Sequence, residues 1–236
     1  MDAPFAWRDQ HLAADFGSAR VLFTTRRGGA SAGPYASLNL GTNTDDEPAK
    51  VAENRNRLAS LTGVGLALGR QVHEAHVHRA RGPGHGGDAD GQVTTLPGIA
   101  CTVLTADCLP VALVAPAGVA MLHAGWRGLA GGVVEAGVAA LEGEGRIAAA
   151  IGPGAGRCCY EVGDEVHQAF AGEADDVREG ANLDLPLIAR RRLRRAGVQE
   201  IHQTGLCTMC DPGERFFSHR RDGGVTGRQA GVAWLT

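Results

Sequence analysis

Apolar and polar positions alternate with clear punctuation along the chain. Arg20-Val21-Leu22-Phe23-Thr24-Thr25 is a short apolar run entering Arg26-Arg27-Gly28-Gly29, which predicts a strand opening into a loop. Pro48 stands at a first helical position, with Val51, Arg55, Leu58 and Leu61 or Thr62 on one face and Gly63 as the stop, so a helix of about four turns is expected. Residues 80–91 hold five glycines and are expected to form an irregular loop inside the domain. Three apolar runs follow, 99–104, 111–114 and 119–122, each bounded by Pro, Gly or Asp, and they predict buried strands. Val133, Val134, Gly137, Val138 and Leu141 have helical spacing, and Ile147 to Ile151 predict another strand. Helices are expected over 161–171 and 184–196, the second ending in a run of arginines that reads as a solvated helix end.

Composition narrows the class. The 236 residues suffice for one sizeable core, so one domain over 1–236 is expected, and 44% hydrophobic with 21% charged residues excludes a disordered chain or a heptad rod. A formal charge of −3 gives no global field for nucleic acid or an anionic membrane. Lys50 is the only lysine among 23 basic residues, which argues against a Walker A loop and against Schiff-base chemistry. Met1-Asp2-Ala3-Pro4-Phe5 does not read as a leader, and no run is long enough to span a bilayer, so a cytoplasmic monomer is expected.

Candidate chemistry lies where buried strands end. His73 follows Gly69-Arg70-Gln71-Val72, Cys108 ends Thr105-Ala106-Asp107-Cys108, and His123 opens His123-Ala124-Gly125-Trp126-Arg127-Gly128. Two imidazoles and a thiolate make a three-ligand set with a fourth tetrahedral position left for water, the pattern of a catalytic zinc. Spacings of 35 and 15 residues do not by themselves distinguish this from a buried thiol beside ordinary histidines. Cys207-Thr208-Met209-Cys210 and Cys158-Cys159 are expected to be buried thiols. A zinc site made of all four cysteines and a redox dithiol remain alternatives, and ligation by adjacent cysteines would be awkward on a strand, where neighbours face opposite ways.

Four motifs in order change the weighing: Thr105-Ala106-Asp107-Cys108; His123-Ala124-Gly125-Trp126-Arg127-Gly128; Ile151-Gly152-Pro153 running to Cys158-Cys159-Tyr160-Glu161-Val162-Gly163; and Phe216-Phe217-Ser218 to Gly227-Arg228. Over residues 20–236 the chain resembles the laccase-domain family, long labelled multicopper polyphenol oxidoreductase and now understood as zinc-dependent purine nucleoside phosphorylases with adenosine deaminase activity. The resemblance implies a single α/β domain of four layers, α/β/β/α, with mixed sheets. It implies that His73, Cys108 and His123 hold zinc, with purine nucleosides and phosphate as substrates. Glu74 where the family commonly has glycine, and Asp45-Asp46 after Thr44, depart from the pattern in local loops.

Several functions follow as alternatives. A four-copper oxidase needs an array of His-x-His pairs, and only His76-Val77-His78 supplies one, although copper would bind adventitiously at His73, Cys108 and His123. Cys108 with His123 as its base would make a metal-free hydrolase, for which His73 is superfluous. A peptidoglycan-editing role is a further possibility that sequence does not separate. Phosphorolysis requires an oxyanion site, and without a lysine-bearing phosphate loop the candidates are Arg26, Arg127 and Arg220. Asn39 and Asp90 are weaker candidates for hydrogen bonds to purine or ribose.

Overall fold

The computed structural model describes residues 4–141 and 143–236, so Met1-Asp2-Ala3 of the expected leaderless start lie outside the described residues. Along the chain run β1 (Phe5–Arg8), β2 (His11–Asp15), β3 (Ala19–Phe23), α1 (Pro48–Thr62), β4 (Gly65–Arg70), β5 (Val77–Arg79), β6 (Gly84–Asp88) and β7 (Gly91–Thr94). There follow β8 (Ile99–Thr105), β9 (Leu109–Ala115), β10 (Gly118–Ala124), α2 (Trp126–Gly131), α3 (Val133–Ala140), β11 (Ala148–Ile151) and α4 (Asp164–Ala169). The remainder is β12 (Arg178–Glu179), β13 (Asn182–Leu183), α5 (Leu185–Arg195), β14 (Glu200–Gln203) and β15 (Gln229–Leu235).

The longer strands divide between two mixed sheets, ordered β1-β2-β3-β15-β8-β4-β6 and β14-β11-β9-β10-β7-β5. Between them lies an apolar layer in which Phe23, Cys101 and Val103 of the first sheet meet Ala112, Val114 and Met121 of the second. On the outer face of the first sheet Leu58 of α1 packs with Leu22, Leu40, Ala100 and Val232. On the far face of the second, Leu129, Val133, Val134, Ile188 and Leu193 cover Val111, Leu113 and Leu122. Each buried Val, Leu, Ile, Phe or Met contributes roughly 1.5–3 kcal/mol of transfer free energy. The result is the α/β/β/α order implied by the family resemblance. Among the described residues no helix is long and apolar enough to cross a membrane.

The helix signals hold locally. Pro48 sits in the first turn of α1 and Gly63 closes it at φ +73°, while Asp184 accepts the Leu187 amide at 2.9 Å to cap α5. Its arginine run is tied to acidic neighbours: Arg191 to Asp176, Arg192 to Glu135 and Arg195 to Glu173.

Two expectations need correction. Residues 80–91 are not wholly irregular, because Gly84–Asp88 forms edge strand β6, held by parallel backbone pairing to β4 rather than by side-chain packing. The helix expected over 161–171 shortens to α4, since Glu161 bridges Asn182, the Val162 amide donates to Ala181 O and Gly163 stands at the N-cap, while Cys158, Cys159 and Tyr160 before it form a turn in which Gly156 O accepts the amides of Cys159 and Tyr160. That turn also removes the strand objection to joint action by Cys158 and Cys159.

The chain's last strand, β15, lies in the middle of the first sheet, where Ala230, Val232, Ala233 and Trp234 are buried. Gly231 is required there, because a Cβ would stand 2.5 Å from Pro110 Cβ and 2.9 Å from Met121 Sδ, where the two sheets approach closely.

Candidate active site

Cys108 lies at the point where the chain leaves the first sheet at β8 and enters the second at β9. The turn is tight enough to put Asp107 at φ +89°, and its carboxylate ties the corner down by accepting Thr208 Oγ1 at 2.7 Å and the Arg220 amide at 2.8 Å. His73 follows β4 on another passage of the chain between the sheets, in a left-handed conformation with φ +62°. His123 lies near the end of the buried run of β10.

Asp90 joins these segments. β7 pairs antiparallel with β10 so that Gly91 faces Leu122, which brings Asp90 opposite His123. Its fully buried carboxylate accepts the successive amides of Val72, His73 and Glu74 at 3.0, 3.0 and 2.8 Å, and His123 Nδ1–H at 2.8 Å. The three amides form an anion nest, and the carboxylate in it fixes the tautomer of His123 so that Nε2 is left for chemistry. Burial alone would raise the Asp90 carboxyl, but hydrogen bonds from His123, Glu74 and Val72 keep it below the usual range.

The ligand atoms of His73, Cys108 and His123 lie within 4.8 Å of one another, and the two imidazole rings meet edge to face with centroids 4.8 Å apart. His73 is exposed, Cys108 half-buried and His123 buried, so the cluster opens on one side only. Gly125 makes room for it: a Cβ there would stand 2.9 Å from Cys108 Sγ. Burial pushes the Cys108 thiol up, but the imidazoles of His123 and His73 outweigh it and bring the thiol to about 6. Burial lowers His123, yet the Cys108 thiolate and Asp90 raise it to about 9. This thiolate and imidazole set, with Nδ1 of His123 already engaged, fits a tetrahedral cation with one position open.

The cluster faces a cleft of about 570 Å³. Arg127 lines it, stacked on Trp126 at 4.2 Å; among the described residues its guanidinium has no hydrogen bond or ion pair. Arg220 also lines it, lying over Tyr160 at 5.3 Å and donating to Glu161 O at 2.8 Å. Burial lifts the Tyr160 phenol to about 12, so it stays protonated and able to donate at neutral pH.

Three sequence candidates are placed elsewhere. Arg26 donates through Nε to Ala36 O at 2.6 Å and lies over Phe217, holding the loop after β3 instead of lining the cleft. Asn39 is fully buried, bonded to Thr44, Asp46 and the Gly41 and Arg228 amides, with no polar atom left for a substrate. Asp90 is spent on the nest and on His123. Sequence reasoning missed Arg228, Tyr160, Trp126 and His219 as cleft residues. All four stand inside or beside the quoted motifs, which was the available signal.

A profile of the multi-copper polyphenol oxidoreductase laccase family matches residues 20–236. The chain belongs to this family. A purine nucleoside phosphorylase of Pseudomonas aeruginosa is 42% identical over 228 residues, covering 92% of this chain and 93% of that protein. The purine nucleoside phosphorylase YfiH of Escherichia coli is 41% identical, with 90% and 92% covered. Among solved structures, YlmD of Geobacillus stearothermophilus superposes with a TM-score of 0.91 at 33% identity over 98% of both chains. Among the described residues no copper array matches the laccase family's label. Among the described residues the groups able to hold a metal are the cluster at the cleft and a set of four cysteines, and His76 and His78 belong to neither.

Proposed function

We propose that this member of the laccase family is a zinc-dependent purine nucleoside phosphorylase that also deaminates adenosine. The observation that carries the reading is the convergence of His73, Cys108 and His123 at a cleft walled by arginines, and the names of its full-length relatives support it. His73, Cys108 and His123 hold the metal. When bound, zinc supplies Lewis acidity and lowers the pKa of water toward neutrality.

The chain's own residues do the rest. Arg127 and Arg220 bind the phosphate dianion, each pre-oriented by an aromatic ring so that less side-chain entropy is lost on binding. Phosphate held beneath the ribose stabilises the cationic character that develops as the C1′–N9 bond breaks, and one of its oxygens forms the new bond to C1′. The bonding pair leaves with the purine, which takes up the proton that the attacking hydrogen phosphate gives up. Asp90 keeps His123 in one tautomer throughout. We place the enzyme in the cytoplasm, where its free thiols stay reduced.

A second reading has its own observation. Asp90, His123 and Cys108 are arranged as a hydrolase triad would be, with the imidazole between carboxylate and thiolate. One experiment separates the two: inosine turnover by the purified enzyme with and without phosphate, before and after metal chelation. The phosphorylase yields ribose 1-phosphate, depends on phosphate and stops on chelation. Phosphate-independent release of free ribose, unaffected by chelation, overturns it.

A further inference from the structure

Beyond the ends of β11 and β14, which pair in parallel in the second sheet, two turns meet. The turn after β11 carries Cys158 and Cys159, and the segment after β14 carries Cys207-Thr208-Met209-Cys210. Backbone pairing stitches them: Gly154 bridges Cys207, and the Thr208 amide donates to Gly154 O at 3.0 Å. The four sulfur atoms lie within 4.8 Å of one another, with Cys158 and Cys210 at 3.4 Å.

Packing does not explain this gathering. Cys158 and Cys210 are exposed and Cys159 and Cys207 half-buried, so the thiols form no core and contradict the expectation of buried sulfur. A disulfide between Cys207 and Cys210 would engage two of the four and leave the other pair unaccounted for. A tetrahedral cation with metal–sulfur bonds of about 2.3 Å spaces its ligands by roughly 3.8 Å, inside the range observed. The Gly156 amide points at Cys207 Sγ from 3.4 Å, and amides within the Cys207–Cys210 turn face the same sulfur. Backbone N–H groups aimed at a sulfur are the outer support that a metal thiolate uses.

We propose that Cys158, Cys159, Cys207 and Cys210 form a closed four-thiolate site for a zinc-class divalent cation, separate from the cluster at the cleft. Loading converts four thiols to thiolates and releases up to four protons with no change in oxidation state. With every position filled by protein, the site is structural. It clamps the segment leading to Tyr160 against the one leading to Thr208, and through Asp107 it steadies the backbone of Arg220. The proposal does not depend on the reading of the cleft.

Its test uses the full chain in the Cys108→Ala variant, where Cys101 is sealed in the core and any metal–thiolate signal must come from these four sulfurs. Zinc per chain is measured after exhaustive dialysis under reducing conditions, and cobalt(II) is then substituted for it. Retention of about one metal per chain, with an intense sulfur-to-cobalt charge-transfer band and tetrahedral d–d bands, is the expected result. The band should vanish when Cys207→Ser and Cys210→Ser are added. A folded Cys108→Ala protein with no metal and no charge-transfer band overturns the proposal, as does a Cys207–Cys210 disulfide detected by mass in protein purified under reducing conditions. Wild type holding one metal that survives in Cys108→Ala supports this site and refutes zinc at the cleft. Wild type holding one that is lost in Cys108→Ala does the reverse.

Discussion

Two clusters of side chains able to hold a metal ion occur in this fold, and they are built in opposite ways. His73, Cys108 and His123 come from places where strands end or change sheets, and one buried carboxylate fixes two of their segments. The four cysteines sit on two solvent-facing turns held by backbone pairing. The first cluster is anchored by that carboxylate and opens toward a cleft. The second is closed, faces solvent and has nothing but sulfur to complete it. A site for chemistry is pre-formed by the fold, whereas a staple draws its order from the ion it holds.

The sharpest break in the comparison is Cys108→Ala. Losing one of three ligands should reduce ribose 1-phosphate formation at least ~100-fold, while removing a small half-buried thiol leaves the melting temperature nearly unchanged. Retained turnover in the folded variant would remove both the zinc and the cysteine readings of the cleft.

Next in size is Asp90→Asn, which tests whether the first cluster is pre-formed. The amide has one acceptor atom where the carboxylate has two, so either the Val72 and Glu74 amides or the His73 amide and His123 Nδ1–H lose their acceptor. We expect zinc affinity at the cleft to fall roughly 10–100-fold and stability by about 1–3 kcal/mol, read by chelator competition and denaturant unfolding. Metal at the four cysteines should not change. Unaltered affinity at the cleft would show that Asp90 is structural only.

These two residues also mark what sequence makes legible. Cys108 and the histidines stand at the ends of apolar runs or inside recognisable motifs, so a linear reading reaches them. Asp90 lies in a glycine-rich stretch, and its partner is fixed by the register of β7 against β10, which no local pattern carries. Arg26 stands two residues before Gly28-Gly29, which suit an anion site, but whether its guanidinium faces the cleft or the carbonyl of Ala36 depends on how the loop folds back. Cys158-Cys159 misled for a related reason, since strand alternation does not govern residues in a turn. The α/β/β/α order was legible only through resemblance, because β15 at the chain's end completes the first sheet by inserting between β3, near its start, and β8.

Arg127→Ala should have a more modest effect. Its guanidinium is exposed and meets no other polar partner among the described residues, so a charged hydrogen bond to phosphate is worth about 1.5 kcal/mol, near the low end for such contacts. The KM for phosphate is expected to rise roughly tenfold with little change in the KM for inosine, and adenosine deamination should be spared. Equal losses in both reactions would place Arg127 on the nucleoside and not on phosphate.

The smallest effect compares the thiols themselves in metal-free protein. Cys108 titrates at about 6, so at pH 7 about nine-tenths of it is thiolate. Burial and the neighbouring Cys210 thiol push Cys159 up to about 11, and burial with the surrounding cysteines raises Cys158 as well, so both remain protonated at that pH. Because the thiolate is the nucleophile, alkylation of Cys108 should rise with pH through about 6 and then level, while alkylation of Cys158 and Cys159 keeps rising into the alkaline range. Lower basicity also makes a weaker nucleophile, which cuts the advantage over Cys159 at pH 7 from roughly ten-thousandfold to roughly 30–100-fold. Exposure argues the other way, since Cys158 is open to solvent and Cys108 is not, so preferential labelling of Cys108 at neutral pH would isolate the electrostatic effect of His123 and His73. Peptide mass mapping after brief iodoacetamide treatment, across a pH range of about 5 to 9 that brackets the Cys108 titration, reads it directly. A Cys108 labelling rate that keeps rising above about pH 8, with no plateau, would mean that the imidazoles do not hold Cys108 as a thiolate and that the cluster at the cleft needs a metal to ionise.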